Sequence, residues 1–374
     1  MKLTTGSILI VGSRNSGKTS FLEFLKTALA LPAKKRTKRM EDEEAAHKPP
    51  PSGNFIPHYL ETEIDGERIG LTLWDSEGLE KNVVDLQLRE MSAFLESKFE
   101  ETFTEEMKVV RSPGVQDTHI HAVFLVLDPS RLDRNLASAR ASASNGHSGK
   151  YGPLMRTFGA LDEDLDLQVM RTLQGKTIVI PIISKADTIT TKHMNVLKKS
   201  VWDSLKKSNM DPLESLGLDE ETSSVADSNR IEEGDEEGGE VARDEDVDST
   251  HTPEGEELPI QGSEEVGASP SSKRLSSQSV RRHKAAQEES KEDEIPFVPL
   301  SIISPDLYEP EVVGRQFPWG FADPYNEEHC DFERLKEAVF SEWRAELREA
   351  SREQWYEGWR TSRLKTRDGG SRRR

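Results

Sequence analysis

Near the start of the chain, two glycines, a lysine and a threonine stand at the spacing of a phosphate-binding loop. Gly12, Gly17, Lys18 and Thr19 match the pattern G-x-x-x-x-G-K-[ST]. The glycines let backbone N–H groups turn inward around an anion, and a following helix adds the partial positive charge of its N-terminus. Lysine would reach the β- and γ-phosphates, and the threonine hydroxyl would ligate Mg²⁺. The loop therefore predicts a bound nucleoside triphosphate.

The whole loop supplies candidate phosphate ligands, through either its backbone or its side chains. They are Gly12, Ser13, Arg14, Asn15, Ser16, Gly17, Lys18, Thr19 and Ser20. The stretch "LTLWDSEG" adds Asp75 at the end of an apolar run, with Gly78 three residues on. The aspartate can hold Mg²⁺ through water, and the glycine can offer its N–H to a γ-phosphate. Thr19 and Asp75 are thus the predicted metal residues.

A third motif indicates which base is bound. "IVIPIISKADT" ends an apolar run in Lys185 and Asp187. An aspartate can accept from both N1–H and the 2-amino group of guanine, a pair of donors that adenine lacks. The lysine stem can lie across the purine face. The order and spacing of the three motifs predict a guanine nucleotide, GTP or GDP, with Mg²⁺.

The elements that must position these motifs alternate between strands and helices, as in an α/β domain. Asp65-Gly66 joins two extended runs and predicts a hairpin. Strands are predicted at residues 7–11, in "HIHAVFLVLD", in "KTIVIPII" and in "IPFVPLSII"; helices are predicted at 18–29, 84–108, 191–207 and in "LDLQVMRTL".

Composition places the acidity in one segment. The net charge is −19, but residues 219–257 hold 17 acidic and 2 basic residues, so they alone supply −15. Residues 216–293 contain few aromatic or periodic apolar side chains, which predicts a disordered insertion. Ser276 follows Lys273 and Arg274 and could be a kinase site, with an ordinary solvated linker as the alternative. Cys330 is the single cysteine, which excludes disulfides and cysteine-based zinc sites.

The C-terminal part is expected to be packed. Four of the six tryptophans lie in the last 56 residues. Apolar residues recur there at three- and four-residue spacing and predict one face of a helix: Phe332, Leu335, Val339, Trp343 and Leu347. No sustained heptads occur, so no coiled coil is predicted.

These motifs resemble those of the septin family. "SKAD", the run "GRQFPWGFADPYNEEHCDFERLKEAVF" at residues 314–340 and "WYEGWRTSRL" are similar to septin sequences. The resemblance implies an α/β P-loop GTPase fold of the Ras-like kind, with a mixed, mainly parallel sheet, helices on both faces and a C-terminal septin unique element. It also implies four segments: a first part of the G domain at 1–215, the insertion at 216–293, the last strand and unique element at 294–362, and a basic tail at 363–374.

By matched position, the resemblance implies roles for three more residues. Arg315 would pack over the guanine opposite Lys185, and Ser301 would lie beside the base. Trp319 would lie in an interface formed across the nucleotide sites of two subunits, with ordinary core packing as its alternative. The implied partners are other septin-like subunits, in a homo- or hetero-oligomer. Nucleic acid is not expected as a partner. The implied location is cytoplasmic and cytoskeletal, including the division site or cell cortex.

Departures from the septin pattern bear on whether the nucleotide is cut. No threonine stands between Lys38 and Glu61, where active septins use one to order water and metal. Glu77 introduces a carboxylate near the γ-phosphate. We therefore expect GTP to be held, with weak or no hydrolysis. The alternatives are a hydrolysing regulatory switch and a module that presents a phosphorylatable loop.

Basic residues give a weaker expectation about surfaces. "KKRTKR" at residues 34–39 predicts at most a weak contact with anionic membranes, and a solvated charge run is the alternative. Only six residues precede Ser7, where septins carry a basic segment. Assembly is therefore expected through one face more readily than through two.

Overall fold

A six-stranded sheet forms the centre of the protein in a computed structural model that describes residues 4–31, 52–108, 118–144, 157–218, 278–280, 282–283, 295–306, 308–309 and 312–371. Its strands are β1 (Thr4–Gly12), β2 (Phe55–Ile64), β3 (Glu67–Ser76), β4 (Ala122–Leu127), β7 (Ile178–Ile183) and β8 (Leu300–Ser301). The order is β2-β3-β1-β4-β7-β8, and only β2 and β3 pair antiparallel. The predicted mixed, mainly parallel sheet is confirmed.

The strand sequences explain this arrangement. Every residue of β4 ("AVFLVL") and β7 ("IVIPII") is buried, as expected of parallel strands covered on both faces. At the sheet edge, Asp65 and Gly66 both adopt positive φ angles, of 52° and 76°. Such a two-residue turn matches the twist of the strands that it joins. The predicted hairpin is confirmed.

Helices follow the strands along the chain. They are α1 (Lys18–Leu29), α2 (Val84–Glu106), α3 (Pro129–Ser144), α4 (Gln168–Leu173), α5 (Thr191–Lys207) and α6 (Pro212–Ser215). Two short strands, β5 (Thr157–Phe158) and β6 (Leu161–Asp162), form a small hairpin before a π-helical turn at Glu163–Leu167. The sequence did not predict α3, because "PSRLDRNLASARASAS" is rich in small and polar residues and has only two large apolar side chains, Leu132 and Leu136.

A helical region closes the C-terminal part. It contains α7 (Phe332–Leu335), a π-helical turn (Lys336–Glu342), α8 (Arg344–Glu349), a second π-helical turn (Ala350–Tyr356) and α9 (Glu357–Ser371). The five residues predicted to share one face are all buried: Phe332, Leu335, Val339, Trp343 and Leu347. The face is therefore confirmed, although the helix is interrupted twice by wider turns.

Part of the predicted insertion is packed. Residues 278–280 and 282–283 are helical, and Val280 is 2% exposed. The His283 ring packs edge-on against Phe297, with 5.6 Å between centroids. Disorder is thus the wrong interpretation for these residues, because Val280 lies in the core and the half-buried His283 ring packs on Phe297, a core residue. Ser276 and most of the insertion lie outside the described residues, and the four-segment division stays a prediction.

None of the helices in the described ranges is long and apolar enough to cross a bilayer.

Candidate functional site

The phosphate loop connects β1 to α1 at the end of the central strand. Gly17 has a φ angle of 91°, in the left-handed region that favours glycine, and α1 begins at the next residue. Within this described helix, no side chain caps the N-terminus and no acidic residue lies in the first turn. The end of the helix therefore presents positive partial charge to the loop, which suits an anion.

Lys18 and Asp75 form the charged centre of the site. Lys18 is buried, and its Nζ donates to the carbonyl oxygen of Ser13 at 3.0 Å. Burial lowers the pKa of Lys18, while the nearby charge of Asp75 acts in the opposite direction. Burial likewise raises the pKa of Asp75, opposed by the charges of Lys18 and His58. The two predicted residues thus lie close together in a partly desolvated cleft.

Two oxygens in this cleft lack hydrogen-bond partners among the described residues. They are Asp75 Oδ1 and Ser16 Oγ, both buried. A carboxylate oxygen of this kind fits a metal-bound water, and Thr19 stands nearby in the first turn of α1. Among the described residues, no group of three His, Cys, Asp or Glu side chains could hold a metal.

The Asp75–Gly78 motif lies directly against the phosphate loop. Leu79 N–H donates to the carbonyl oxygen of Gly12 at 3.0 Å, and Arg14 N–H donates to the carbonyl oxygen of Leu79 at 3.3 Å. A Cβ atom at Gly78 would lie 2.8 Å from Arg14 Cα, so only glycine fits this approach. The structure therefore brings the first two predicted motifs together.

The third motif follows β7 and also contacts the phosphate loop. Lys185 Nζ donates to the carbonyl oxygen of Asn15 at 2.8 Å and to Asp128 Oδ1 at 3.1 Å. Ser184 Oγ lies 2.6 Å from the carbonyl oxygen of Ser16. Asn15 and Lys185 both have positive φ angles, of 63° and 54°, an uncommon conformation that clusters at functional sites. These contacts bring the third motif directly against the phosphate loop.

Two of these contacts were not predicted. Ser184 and Asp128 were not named as site residues, although each directly follows a buried strand. Polar residues at the carboxyl ends of neighbouring parallel strands meet at one edge of the sheet. That placement was the signal that could have found both.

Asp187 and Arg315 form an ion pair at the base end of the cleft. Arg315 Nη1 lies 3.1 Å from Asp187 Oδ2, and the Asp187 side chain is 1% exposed. Arg315 is the first residue of β9 (Arg315–Phe317), which pairs with β10 (Gly320–Ala322). The structure therefore places the predicted base-facing arginine directly on the predicted base-reading carboxylate.

Ser301 does not face this cleft as predicted. Its N–H and hydroxyl both bind Asp331 Oδ2, at 2.7 Å and 2.5 Å, and its carbonyl oxygen accepts from Asp331 N–H at 2.7 Å. Lys198 also binds this carboxylate. The guanine contact predicted for Ser301 is thus wrong in this structure, because a buried aspartate 30 residues further along the chain occupies all of its polar groups.

Trp319 lies in the loop of the β9–β10 hairpin and is 83% exposed. Its ring stacks on Phe317, with 5.3 Å between centroids and 10° between planes. Core packing, the alternative for this residue, is therefore wrong, whereas the interface role stays a prediction.

Glu77, the residue predicted to bring a carboxylate near the γ-phosphate, has an exposed side chain.

Several sequence predictions concern residues 32–51, which lie outside the described residues. They include the first part of the stretch without threonine and the basic run at 34–39. The later part of that stretch is described: from Phe55 onward it belongs to β2 and pairs with β3 along its full length.

A sheet of this order, with a phosphate loop after β1 and a contacting motif after β7, defines a P-loop α/β domain. A family model described as Septin matches residues 3–136, 154–234 and 273–372, more than half of the chain. The chain belongs to the septin family.

Individual relatives are distant. Septin-11 of Homo sapiens is 25% identical over 361 residues, which are 96% of this chain and 61% of that protein. The septin homolog spn3 of Schizosaccharomyces pombe is 21% identical over 370 residues. The match covers 96% of this chain and 73% of the spn3 sequence. This chain therefore spans about three-fifths of the length of septin-11.

Similarity extends to solved structures. The septin GTPase domain from Chlamydomonas reinhardtii is 14% identical, with a TM-score of 0.49, and the match covers 96% of this chain and 99% of that one.

Proposed function

We propose that this chain is a septin subunit that binds a guanine nucleotide with Mg²⁺ and holds it during assembly, with weak or no hydrolysis. The contact between Lys185 Nζ and the carbonyl oxygen of Asn15 carries the proposal. It joins the phosphate loop to the motif that recognises the base, so one ligand can reach both. Membership of the septin family supports the same assignment.

Guanine recognition rests on Asp187. Its carboxylate can accept from N1–H and the 2-amino group of guanine together, two charge-assisted hydrogen bonds. Arg315 holds this carboxylate at the hairpin side of the cleft. On nucleotide binding, Arg315 would share the carboxylate with the base and lie against the purine.

Retention without efficient hydrolysis rests on the stretch between Lys38 and Glu61. It contains no threonine that could order an attacking water, and its end from Phe55 onward is committed to the β2–β3 ladder. A hydrolysing regulatory switch is the alternative, motivated by the placement of Thr19 and Asp75.

Assembly rests on the β9–β10 hairpin. Trp319 is a large exposed aromatic side chain beside the nucleotide cleft, the kind of residue that anchors protein interfaces. The proposed partners are other septin-like subunits, and the proposed location is cytoplasmic and cytoskeletal. We also propose a weak contact with anionic membranes through the basic run at 34–39. Nucleic acid is not proposed as a partner.

The test is to identify the nucleotide that copurifies with the full chain, by denaturing the protein and separating its ligand by chromatography. GTP or GDP near one per chain supports the proposal. Empty protein, or an adenine nucleotide, overturns it. A single-turnover assay then distinguishes retention of GTP from its hydrolysis. Phosphate release that is slower in Thr19→Ala than in the wild type would favour the regulatory switch.

A further inference from the structure

Gln87, in the first turn of α2, forms hydrogen bonds with the backbone of Gly78 and of Glu80, shortly after Asp75. Its Nε2 donates to the carbonyl oxygen of Gly78 at 3.1 Å, and its Oε1 accepts from Glu80 N–H at 3.0 Å. A single side-chain amide therefore bonds both ends of the segment Gly78–Glu80, which we call the γ-segment. Both bonds reach backbone groups, so they fix the path of the chain itself.

The opposite side of the γ-segment is bonded to the phosphate loop. Leu79 exchanges backbone hydrogen bonds with Gly12 and Arg14, at 3.0 Å and 3.3 Å. Arg14 Nη1 adds an exposed ion pair with Glu80 Oε1 at 2.8 Å. The γ-segment thus lies between the phosphate loop and α2, with backbone bonds on each side.

The chain beyond the γ-segment is anchored too. Lys81 Nζ lies 2.5 Å from Asp162 Oδ2, and Gln168 Nε2 donates to Asp85 Oδ1 at 2.8 Å. These contacts tie the start of α2 to the β6–α4 region. They do not touch Gly78 or Glu80, so they offer a control for the effect of Gln87.

We propose that Gln87 is a positioning residue that presets the γ-segment on the phosphate loop, so that the site selects a nucleoside triphosphate over a diphosphate. This inference rests on the proposed function. The physical basis is preorganisation. Because the backbone around Gly78 is already held in place, less conformational entropy is lost when the Gly78 N–H binds a γ-phosphate. A diphosphate does not reach Gly78 and gains nothing from the arrangement.

The proposal also concerns motion. A γ-segment that protein groups bind on both sides does not need to rearrange when the nucleotide changes. The amides of Leu79 and Glu80 should then exchange with deuterium at similar rates in the GDP-bound and GTP-bound protein. This behaviour suits a holding subunit better than a switch.

The experiment measures the affinity of the full chain for GDP and for a non-hydrolysable GTP analogue. Gln87→Ala should weaken the analogue about tenfold, the effect of losing two positioning hydrogen bonds, and change GDP less than about twofold. Gln87→Glu keeps an acceptor for Glu80 N–H but loses the donor to Gly78, so it should also lower the preference. Gln168→Ala, the matched control, should leave both affinities unchanged.

Hydrogen exchange checks that the effect acts through position. In Gln87→Ala the Leu79 and Glu80 amides should exchange faster, while those of α1 should not change. Equal weakening of both nucleotides, or an unchanged ratio, overturns the role of Gln87 and leaves the proposed function standing. If the wild-type chain binds neither GDP nor the analogue, the proposed function itself is overturned, and this inference with it.

Discussion

Arg315 Nη1 lies 3.1 Å from Asp187 Oδ2, which links two residues that are 128 positions apart in the sequence. The pair joins the base end of the nucleotide cleft to the hairpin that carries Trp319. Because Asp187 is almost fully buried, the ion pair compensates a charge that would otherwise be costly to desolvate. Changes at either residue should therefore be felt at both the cleft and the hairpin.

Asp187→Asn should change the base preference. Asparagine donates from its amide where guanine also donates from its 2-amino group, so we expect GTP affinity to fall about 100-fold. Xanthine has a carbonyl group at that position and can accept from the asparagine. The variant should therefore bind xanthosine triphosphate better than GTP, as measured by competition titration. If GTP affinity is unchanged, Asp187 does not read the base.

Trp319→Ala should weaken self-association without weakening the fold. The side chain is largely exposed in the single chain, so its loss should change the free energy of unfolding by less than about 0.5 kcal/mol. A loss of about 30-fold in dimer affinity is expected from an interface anchor. Sedimentation velocity measures this change.

Trp343→Ala gives the matched contrast. Trp343 is 1% exposed, so the variant should lose about 3–5 kcal/mol of folding stability. An unchanged sedimentation coefficient in Trp319→Ala would contradict the interface role.

Thr19→Ala should make nucleotide binding insensitive to Mg²⁺. The hydroxyl is the predicted metal ligand, and the metal offsets the charge of the phosphates. We expect the variant to bind GTP about tenfold more weakly than wild type in Mg²⁺ and equally in EDTA. Thr27→Ala, further along α1, is the control, because the Thr27 hydroxyl bonds only within the helix, to the carbonyl oxygen of Glu23. A loss of equal size in EDTA would show a steric effect and not a metal ligand.

Acid should destabilise the fold through Asp331. Burial would raise the pKa of this carboxyl, but the charges of Lys198 and Arg334 outweigh burial and hold it at about 2, below the ordinary value of 3.8. A carboxyl with a lowered folded-state pKa stabilises the fold above its unfolded pKa. The contribution, about 2 kcal/mol, should be present above about pH 4 and lost as the pH falls towards 2. Urea unfolding at several pH values measures it.

Asp331→Asn should remove this pH dependence and lower stability at pH 7 by about 3–5 kcal/mol, because Lys198 stays buried without its partner. Glu333→Gln is the control, since it removes a partly exposed ion pair with Lys336 and leaves Asp331 and Lys198 in place. Identical acid unfolding of Asp331→Asn and wild type would contradict this account.

Local patterns predicted much of the fold and of the cleft. Lys18–Leu29 and Thr191–Lys207 lie where the sequence placed helices. The phosphate loop marks the start of the first one; the start of the second is fixed by the side chain of Thr190, which accepts from His193 N–H. The three nucleotide motifs were also predicted, because each follows an apolar strand of a parallel sheet.

The misses have a common physical cause. Ser301 was assigned to the base, yet its partner Asp331 lies on a different element and is visible only after folding. The Ser184 hydroxyl likewise bonds a backbone group 168 positions away in the sequence. The partners of Gln87 are close in sequence, at Gly78 and Glu80, but they lie in a segment that is neither helix nor strand. Contacts of this kind leave no periodic trace in the sequence.

The two π-helical turns, at Lys336–Glu342 and Ala350–Tyr356, determine where the C-terminal helical region can accept a change in length. Side chains spaced by four residues drift around an ordinary α-helix, because four residues exceed the 3.6 of one turn. A wider turn reverses that drift and returns Trp343 and Trp355 to the interior. Removing one residue from either turn is absorbed when the wide turn rewinds as an ordinary α-helix. Removing one residue from α8 would instead rotate every later side chain, including Trp355, by about 100°.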